Sequence, residues 1–338
     1  MIRLVQIGNG SSRRVALVEE PRLRCLNEVQ SIYELAQRCL KDDRKLGEEA
    51  LALADGETLD YDVVYARASE WQLLAPVDVP GAPSRLMIAG TGLTHMRSAK
   101  ARQAMHVAGA EKATESVTDS MRMFQWGIED GRPKEGEIGV APEWFYKGNG
   151  SILRGPFEPL TVPPFAEDDG EEAEIAGIYI IGQDGAPYRI GMTTGNEFSD
   201  HQFERRNYLN LAGSKLRTCS LGPELVIGAN FQAVSGEVRI QRGAEIIWSR
   251  AVQTGEQNMC HSLANLEHHH FKFECHRQPG DVHVHFFGAD SLSFEDNIVL
   301  QVGDWMEVRY EGFGRALRNP IRIKTDDTNR LVTVRSLA

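Results

Sequence analysis

The chain has no Cys-x-x-Cys pair, no long apolar run, no basic cluster and no nucleotide-binding or serine-hydrolase signature. Each absence removes a class of function. The five cysteines (Cys25, Cys39, Cys219, Cys260, Cys275) are odd in number and widely spaced, which argues against a disulfide framework and against a thiolate zinc knuckle. The amino terminus alternates and carries Arg3 and Arg13-Arg14 in place of a signal-peptide core, so a cytoplasmic location is expected. No stretch approaches the roughly 18 apolar residues of a membrane span. Lys and Arg number 37 against 48 Asp and Glu, a formal net charge of -11, and neither nucleic acid nor an anionic membrane is expected as a partner. Gly90-Thr91-Gly92 and Gly148-Asn149-Gly150 lack the spacing of a dinucleotide or P-loop motif, and Gly-x-Ser-x-Gly is missing.

What remains is a globular composition, 41% hydrophobic and 25% charged over 338 residues, enough to bury a large core. The order of elements predicts an α+β protein, mainly β, with a small α/β module over residues 1–80 and a larger unit over 81–338. Residues 2–7 and 14–18 flank Gly8-Asn9-Gly10-Ser11 as a hairpin. Val29, Ile32, Ala36, Cys39 and Leu40 fall at helical spacing, and an amphipathic piece follows over 44–54. Residues 83–90 read as a strand ending at the turn Gly90 to His95. A polar helical stretch over 97–126 and a Gly- and Pro-rich loop over 131–142 suit a cover across a site (97–142) better than a core element. Beyond 143 strands dominate, over 172–181, 188–194, 224–228, 281–287 and 305–310, with a hairpin across Arg242-Gly243. Helices are expected from Ser199, where Ser199-x-x-Gln202 has capping-box spacing, and over 261–273.

Two glutamates one residue apart, Glu172 and Glu174, open the apolar run Ile175-Ala176-Gly177-Ile178-Tyr179-Ile180-Ile181. In a strand they share a face with Ala176, Ile178 and Ile180, and both faces read as buried. Adjacent carboxylates in a dry interior repel and lose hydration, unless a cation compensates or they take up protons. A divalent metal is the simplest remedy. Gly195-Asn196-Glu197-Phe198-Ser199 adds a third carboxylate, on a turn after a strand; three carboxylates without paired thiolates suit Mg²⁺ or Mn²⁺. Glu197 near a helix start is also accounted for by the helix dipole alone. Lys215 is an acid, base or electrostatic anchor if buried among these groups; from spacing alone a solvated lysine is the default. Of ten histidines, His268, His269 and His270 point about 100° apart on a helix and cannot share one ion. His283 and His285 share a strand face but lack a third ligand, and His285 is read as a substrate contact.

Taken in order, these pieces resemble the fumarylacetoacetate hydrolase (FAH) superfamily, over roughly residues 81–323. They are the strand and turn Met87 to His95, the Glu172/Glu174 pair, Asn196-Glu197-Phe198-Ser199, Lys215, Leu221-Gly222-Pro223, Pro279-Gly280-Asp281-Val282, Gly303-Asp304, Gly312-Phe313-Gly314 and Asn319-Pro320. The resemblance implies an FAH-type mixed β-sandwich roll, Glu172, Glu174 and Glu197 around Mg²⁺, Lys215 as the active-site lysine, and a homodimer. The C–C hydrolases of that superfamily place a His-x-x-Glu dyad where this chain has Ser98 and Ala101. Ser98-Ala99-Lys100-Ala101-Arg102 and the span from Asn196 to Lys215 resemble instead the branch that dehydrates 2-keto-3-deoxy sugar acids, and the chain looks similar to its GguC-like group. Two positions depart from the pattern: the third ligand is Glu where Asp is usual, and His285-Phe286-Phe287 replaces a Thr-Gly-Thr turn.

The expected function is therefore a metal-dependent hydro-lyase acting on a small-molecule 2-keto acid. The expected substrate is 2-keto-3-deoxy-L-arabinonate, giving 2-oxoglutarate semialdehyde, with Arg102, His285 and Ser98 contacting substrate. Three alternatives stay open: hydrolysis of a C–C bond in a diketo acid, Schiff-base chemistry at Lys215, and a non-catalytic sugar-acid binding protein.

Overall fold

A computed structural model describes residues 1–10, 12–108, 118–324 and 331–337. The hairpin at the start forms as the turn signal predicts, with Ile2–Asn9 paired to Ser12–Glu19. Helices Ile32–Asp42 and Leu46–Leu53 follow. Ser31 caps the first by accepting from the Glu34 amide at 3.1 Å. These first residues do not stand apart from the rest. Ile2–Asn9 pairs antiparallel with Leu225–Ile227, so the amino-terminal strands extend one large mixed sheet. Its central order runs from Ile2–Asn9 through Leu225–Ile227, Pro187–Asn196, Ala173–Ile181, Val282–Phe286 and Leu86–Gly92 to Glu143–Asn149. One face of the amino-terminal strands carries a core of its own, including Val5, Leu23, Tyr61 and Trp71. On the other face Leu4, Val15, Ile32 and Leu35 pack in one cluster with Ala176, Ile178, Val284 and Phe286.

A second sheet of five described strands, ordered Glu245–Thr254, Val234–Arg242, Trp305–Tyr310, Leu317–Ile323 and Leu160–Val162, closes over the opposite face of the central strands. Between the sheets lie Ile175, Met192, Val238, Ile240, Met306, Val308 and Phe287. Ala173–Ile181 is thus buried on both faces along its whole length, as its unbroken apolar run predicts. The strand Leu317–Ile323 was not anticipated; Pro320 within it obscures the pattern.

Two expectations change. The cover is not one long helix: Met96–Ala108 and Asp119–Asp130 are separate helices, and the expected cover residues 109–117 lie outside the described residues. The helix expected from Ser199 is His201–Arg206, and its cap is Asp200, whose carboxylate accepts from the Phe203 amide at 3.0 Å. Ser199 is occupied elsewhere, because its hydroxyl donates to Glu197 and accepts from Lys215.

Candidate metal centre

Antiparallel pairing explains why carboxylates more than twenty residues apart in sequence meet. In the register of Ala173–Ile181 with Pro187–Asn196, Ala173 faces Asn196 and Glu174 faces Gly195. The Glu197 amide then donates to the Glu172 carbonyl at 2.9 Å. The start of one strand and the end of the next lie side by side, and one oxygen from each of Glu172, Glu174 and Glu197 falls within 4.8 Å of the others. All three are buried. Phe198, the next residue, takes φ 59, a left-handed conformation that an aromatic residue adopts at a cost of about 1–3 kcal/mol. Its carbonyl is held by the Lys147 ammonium at 2.6 Å.

Two lysines enter this carboxylate cluster. Lys215, 1% exposed, donates to Glu172 Oε1 and Glu197 Oε2, both at 2.7 Å, and to Ser199 Oγ at 2.8 Å. It also lies 3.4 Å from Glu204 and 4.8 Å above the Phe145 ring. The solvated alternative for Lys215 is thereby displaced. Lys147, from the strand Glu143–Asn149, reaches the other oxygen of Glu197 at 2.8 Å. Sequence reasoning missed it; in Trp144-Phe145-Tyr146-Lys147 nothing but the alternation of a strand hints that it turns inward. His201 Nε2 bonds Glu172 Oε1 at 2.9 Å. Glu174 receives the Gly288 amide at 2.6 Å. Gly288 has φ +98, and a Cβ there would collide with Thr94 Oγ1.

Burial would raise the Glu172 carboxyl, but the charges of Lys215 and His201 hold it well below the usual carboxylate range. Burial, then the charges of Glu172 and Glu197, push Glu174 well above it. Lys215 is destabilised as a cation by burial, yet Glu172, Glu197 and Glu204 more than compensate and keep it protonated. Five carboxylates (Glu143, Glu172, Glu174, Glu197, Glu204) meet Arg102, Lys215, Lys147, whose ammonium is pushed down by burial, and the His201 imidazole in the connected network. Glu174 has no cation of its own among the described residues, and burial beside Glu172 and Glu197 favours its neutral form there. A hard divalent ion fits both the charge and the oxygen donors.

The structure also places the expected substrate contacts. Arg102 lies in the site but is engaged: it donates to Glu143 at 3.0 Å and reaches Glu204 at 3.3 Å, while Tyr208 donates to Glu143 at 2.6 Å. Ser98 lines the small cavity with Arg102, Glu172, Glu174, His201 and Glu204, and its hydroxyl donates to the His95 carbonyl. His285 is not brought there. It pairs with Gly177, so it projects from the face of the sheet opposite Glu174. There it stacks on His270 at 4.7 Å, beside His283 and Phe287. The substrate-contact expectation for His285 does not match this position, because one strand cannot present adjacent-parity residues to one cavity.

No family model matches the chain, and no curated protein sequence matches it either. Solved structures do. A 2-keto-3-deoxyarabinonate dehydratase superposes with a TM-score of 0.70 at 16% identity, covering 96% of this chain and 100% of that one. The D-arabinonate-derived dehydratase complexed with magnesium and 2,5-dioxopentanoate also superposes at 0.70, with 16% identity, covering 95% of this chain and 99% of that one. The chain has the fumarylacetoacetate hydrolase fold. A 2-hydroxyhepta-2,4-diene-1,7-dioate isomerase from Mycobacterium marinum shares it more distantly, at a TM-score of 0.58 and 15% identity, covering 96% of this chain and all of that one. The mixed roll expected from the sequence is the observed architecture. No helix among the described residues is long and apolar enough to cross a membrane.

Proposed function

We propose that the protein is a metal-dependent hydro-lyase that dehydrates a 2-keto-3-deoxy sugar acid, the L-arabinonate-derived pentonate being the first to test. The observation that carries the reading is the convergence of Glu172, Glu174 and Glu197, the second without a cation of its own among the described residues, beside a buried protonated lysine. The likeness to the dehydratase complexed with 2,5-dioxopentanoate supports it, since that compound is the semialdehyde such a dehydration yields.

In this reading the three glutamates hold Mg²⁺, or Mn²⁺, which supplies positive charge to stabilise an enolate as it forms. The chain's own groups do the rest. A proton leaves C3, the C4–O bond breaks as the hydroxyl takes up a proton and departs as water, and the remaining enone tautomerises to the semialdehyde. Lys215, kept protonated and tied to Glu172, Glu197 and Ser199, places a fixed positive charge near the developing oxyanion. A protonated amine is the wrong state for attacking a carbonyl, which disfavours the Schiff-base alternative. Arg102, pinned on Glu143 and Glu204, and Ser98 wall the cavity on the cover side. The C–C hydrolase alternative is disfavoured because Ser98 and Ala101 stand where the resemblance would place the water-activating His-x-x-Glu dyad. A cytoplasmic homodimer completes the reading; light scattering of the purified protein checks the dimer.

Incubation of the Mg²⁺-loaded protein with 2-keto-3-deoxy acids is expected to release one water per substrate, followed by mass spectrometry. Glu174→Gln should abolish it and should also remove the thermal stabilisation by Mg²⁺, which for the wild type amounts to about 2.7 kcal/mol at a hundred times Kd. Cleavage of a diketo acid without dehydration would move the assignment to the hydrolases. Recovery of bound, unchanged sugar acid after long incubation would make the protein a binder.

A further inference from the structure

The run Glu171-Glu172-Ala173-Glu174 carries an acid that the metal centre does not use. Glu171 is completely buried and makes no ion pair among the described residues; both of its oxygens are taken by Ser293, whose amide donates to Oε1 and whose hydroxyl donates to Oε2, each at 2.6 Å. A buried carboxylate without a cation is costly, and apolar side chains of similar volume commonly join two segments at less cost. What the pair adds is direction. Two hydrogen bonds from one residue to one carboxylate fix the position and the orientation of Ser293, which non-directional apolar contact does not.

Ser293 ends the segment 288–293, and the other end of that segment is the Gly288 amide on Glu174 at 2.6 Å. Midway, Asp290 accepts from the Gln253 amide at 3.1 Å and meets Arg97 at 3.4 Å. The segment is anchored at both ends and in its middle. Between the anchors, Ala289 and Leu292 line the cavity at the carboxylates, and Ser98 and Arg102 of helix Met96–Ala108 line it from the cover. That cavity has a volume of about 20 Å³, room for one water or ion, so an organic acid seated there presses on every wall. A wall anchored in advance holds a ligand without a further ordering cost.

We propose that Glu171 is a positioning residue: through Ser293 it holds segment 288–293 as a preformed wall of the substrate cavity, so that binding of the 2-keto acid depends on it and binding of the metal does not. This rests on the carboxylate centre binding a 2-keto acid, as proposed above.

The probe is 2-oxopentanoate, a 2-keto acid with no hydroxyl to lose, which reports binding whether or not the protein dehydrates anything. In calorimetric titration of the Mg²⁺-loaded protein, Glu171→Ala should raise its Kd about tenfold at unchanged stoichiometry, while Mg²⁺ titrated alone binds within about twofold of wild type. An unfolded fraction would lower the stoichiometry and leave the Kd where it was. Glu171→Gln can still accept from the Ser293 amide and donate to the hydroxyl oxygen, and should bring the Kd back to within about threefold of wild type. Ser293→Ala keeps the amide bond alone and should raise the Kd about fivefold. An unchanged Kd in Glu171→Ala, or in Ser293→Ala should the first variant not fold, overturns the inference and leaves the carboxylate centre standing. So does a Mg²⁺ Kd that rises in step with that of the acid, or a glutamine variant as weak as the alanine one, since either makes the charge of Glu171 the cause. A wild type that binds Mg²⁺ and no 2-oxopentanoate defeats the reading of the centre, and this inference with it.

Discussion

Lys147 and His285 show how much a single buried side chain decides. Lys147 is fully buried and bonds one Glu197 oxygen and the Phe198 carbonyl, so it both neutralises the third carboxylate and pins the left-handed turn that presents it. Lys147→Met is expected to cost about 1–3 kcal/mol, since Glu197 keeps Lys215 but Glu197 Oε1 and the Phe198 carbonyl lose their buried donor. It should also weaken Mg²⁺ binding; urea denaturation and calorimetric Mg²⁺ titration read the two effects separately. At His285 both ring nitrogens are buried without hydrogen-bond partners, and burial drives the imidazole down to about 3. The folded protein therefore holds His285 neutral while the unfolded chain, with a pKa near 6.5, takes up a proton. Its contribution is constant above about pH 6.5 and falls below that, by about 1.4 kcal/mol per pH unit, until the folded value near 3 is reached. His285→Phe should remove this group's share of the slope, while His95, His261, His270 and His283, also held down by burial, keep theirs. Denaturant midpoints measured at pH 7 and pH 5 should converge in the variant relative to the wild type, and a parallel fall in both proteins would refute the assignment.

Among elements, the two strands that carry the glutamates matter less than the segments that close on them. Ala173–Ile181 and Pro187–Asn196 set the spacing by register, but the Gly288 amide and the Thr94 hydroxyl, which donates to the Phe287 carbonyl at 2.8 Å, shape the pocket floor around Glu174. Gly288→Ala strains a positive φ and pushes Thr94 aside. We expect a loss of about 1–3 kcal/mol in stability and at least about tenfold weaker Mg²⁺ binding. Unchanged Mg²⁺ affinity in the titration would show that the amide is dispensable. The strand pattern around Glu172 and Glu174 was legible because a fully buried strand with charges at one end is a rare signal. The cover was misjudged as continuous because weak apolar periodicity does not mark where one helix stops. The Ser199 cap was misassigned because spacing cannot tell whether a hydroxyl serves a helix or a lysine.

For the whole molecule, the sheet runs through the expected boundary near residue 80. Ile2–Asn9 bonds to Leu225–Ile227, and Glu224, completely buried, joins Arg3 at 3.0 Å, the Tyr61 hydroxyl at 2.9 Å and the Arg315 amide at 3.1 Å. Shared apolar packing and a shared buried carboxylate couple the two regions, so they should unfold together. The buried thiols of Cys25, in the amino-terminal core, and Cys219, in the central cluster, should become reactive at the same urea concentration. Exposure of Cys25 well before Cys219 would instead restore an independent module.

Composition and the run from Glu172 to Ile181 were enough to indicate a mainly β chain and a buried Glu172/Glu174 pair, since strand alternation is a local rule that needs no knowledge of neighbours; the mixed roll and the third ligand, Glu197, came with the resemblance carried by the ordered motifs. Which cations meet those glutamates was left to the tertiary structure. Lys147 and His201 come from another strand and a helix, and His285 was turned away by the parity of a strand whose pairing no local pattern reveals. Charge compensation in a dry interior depends on distances across the fold, and those exist only once the sheets have closed.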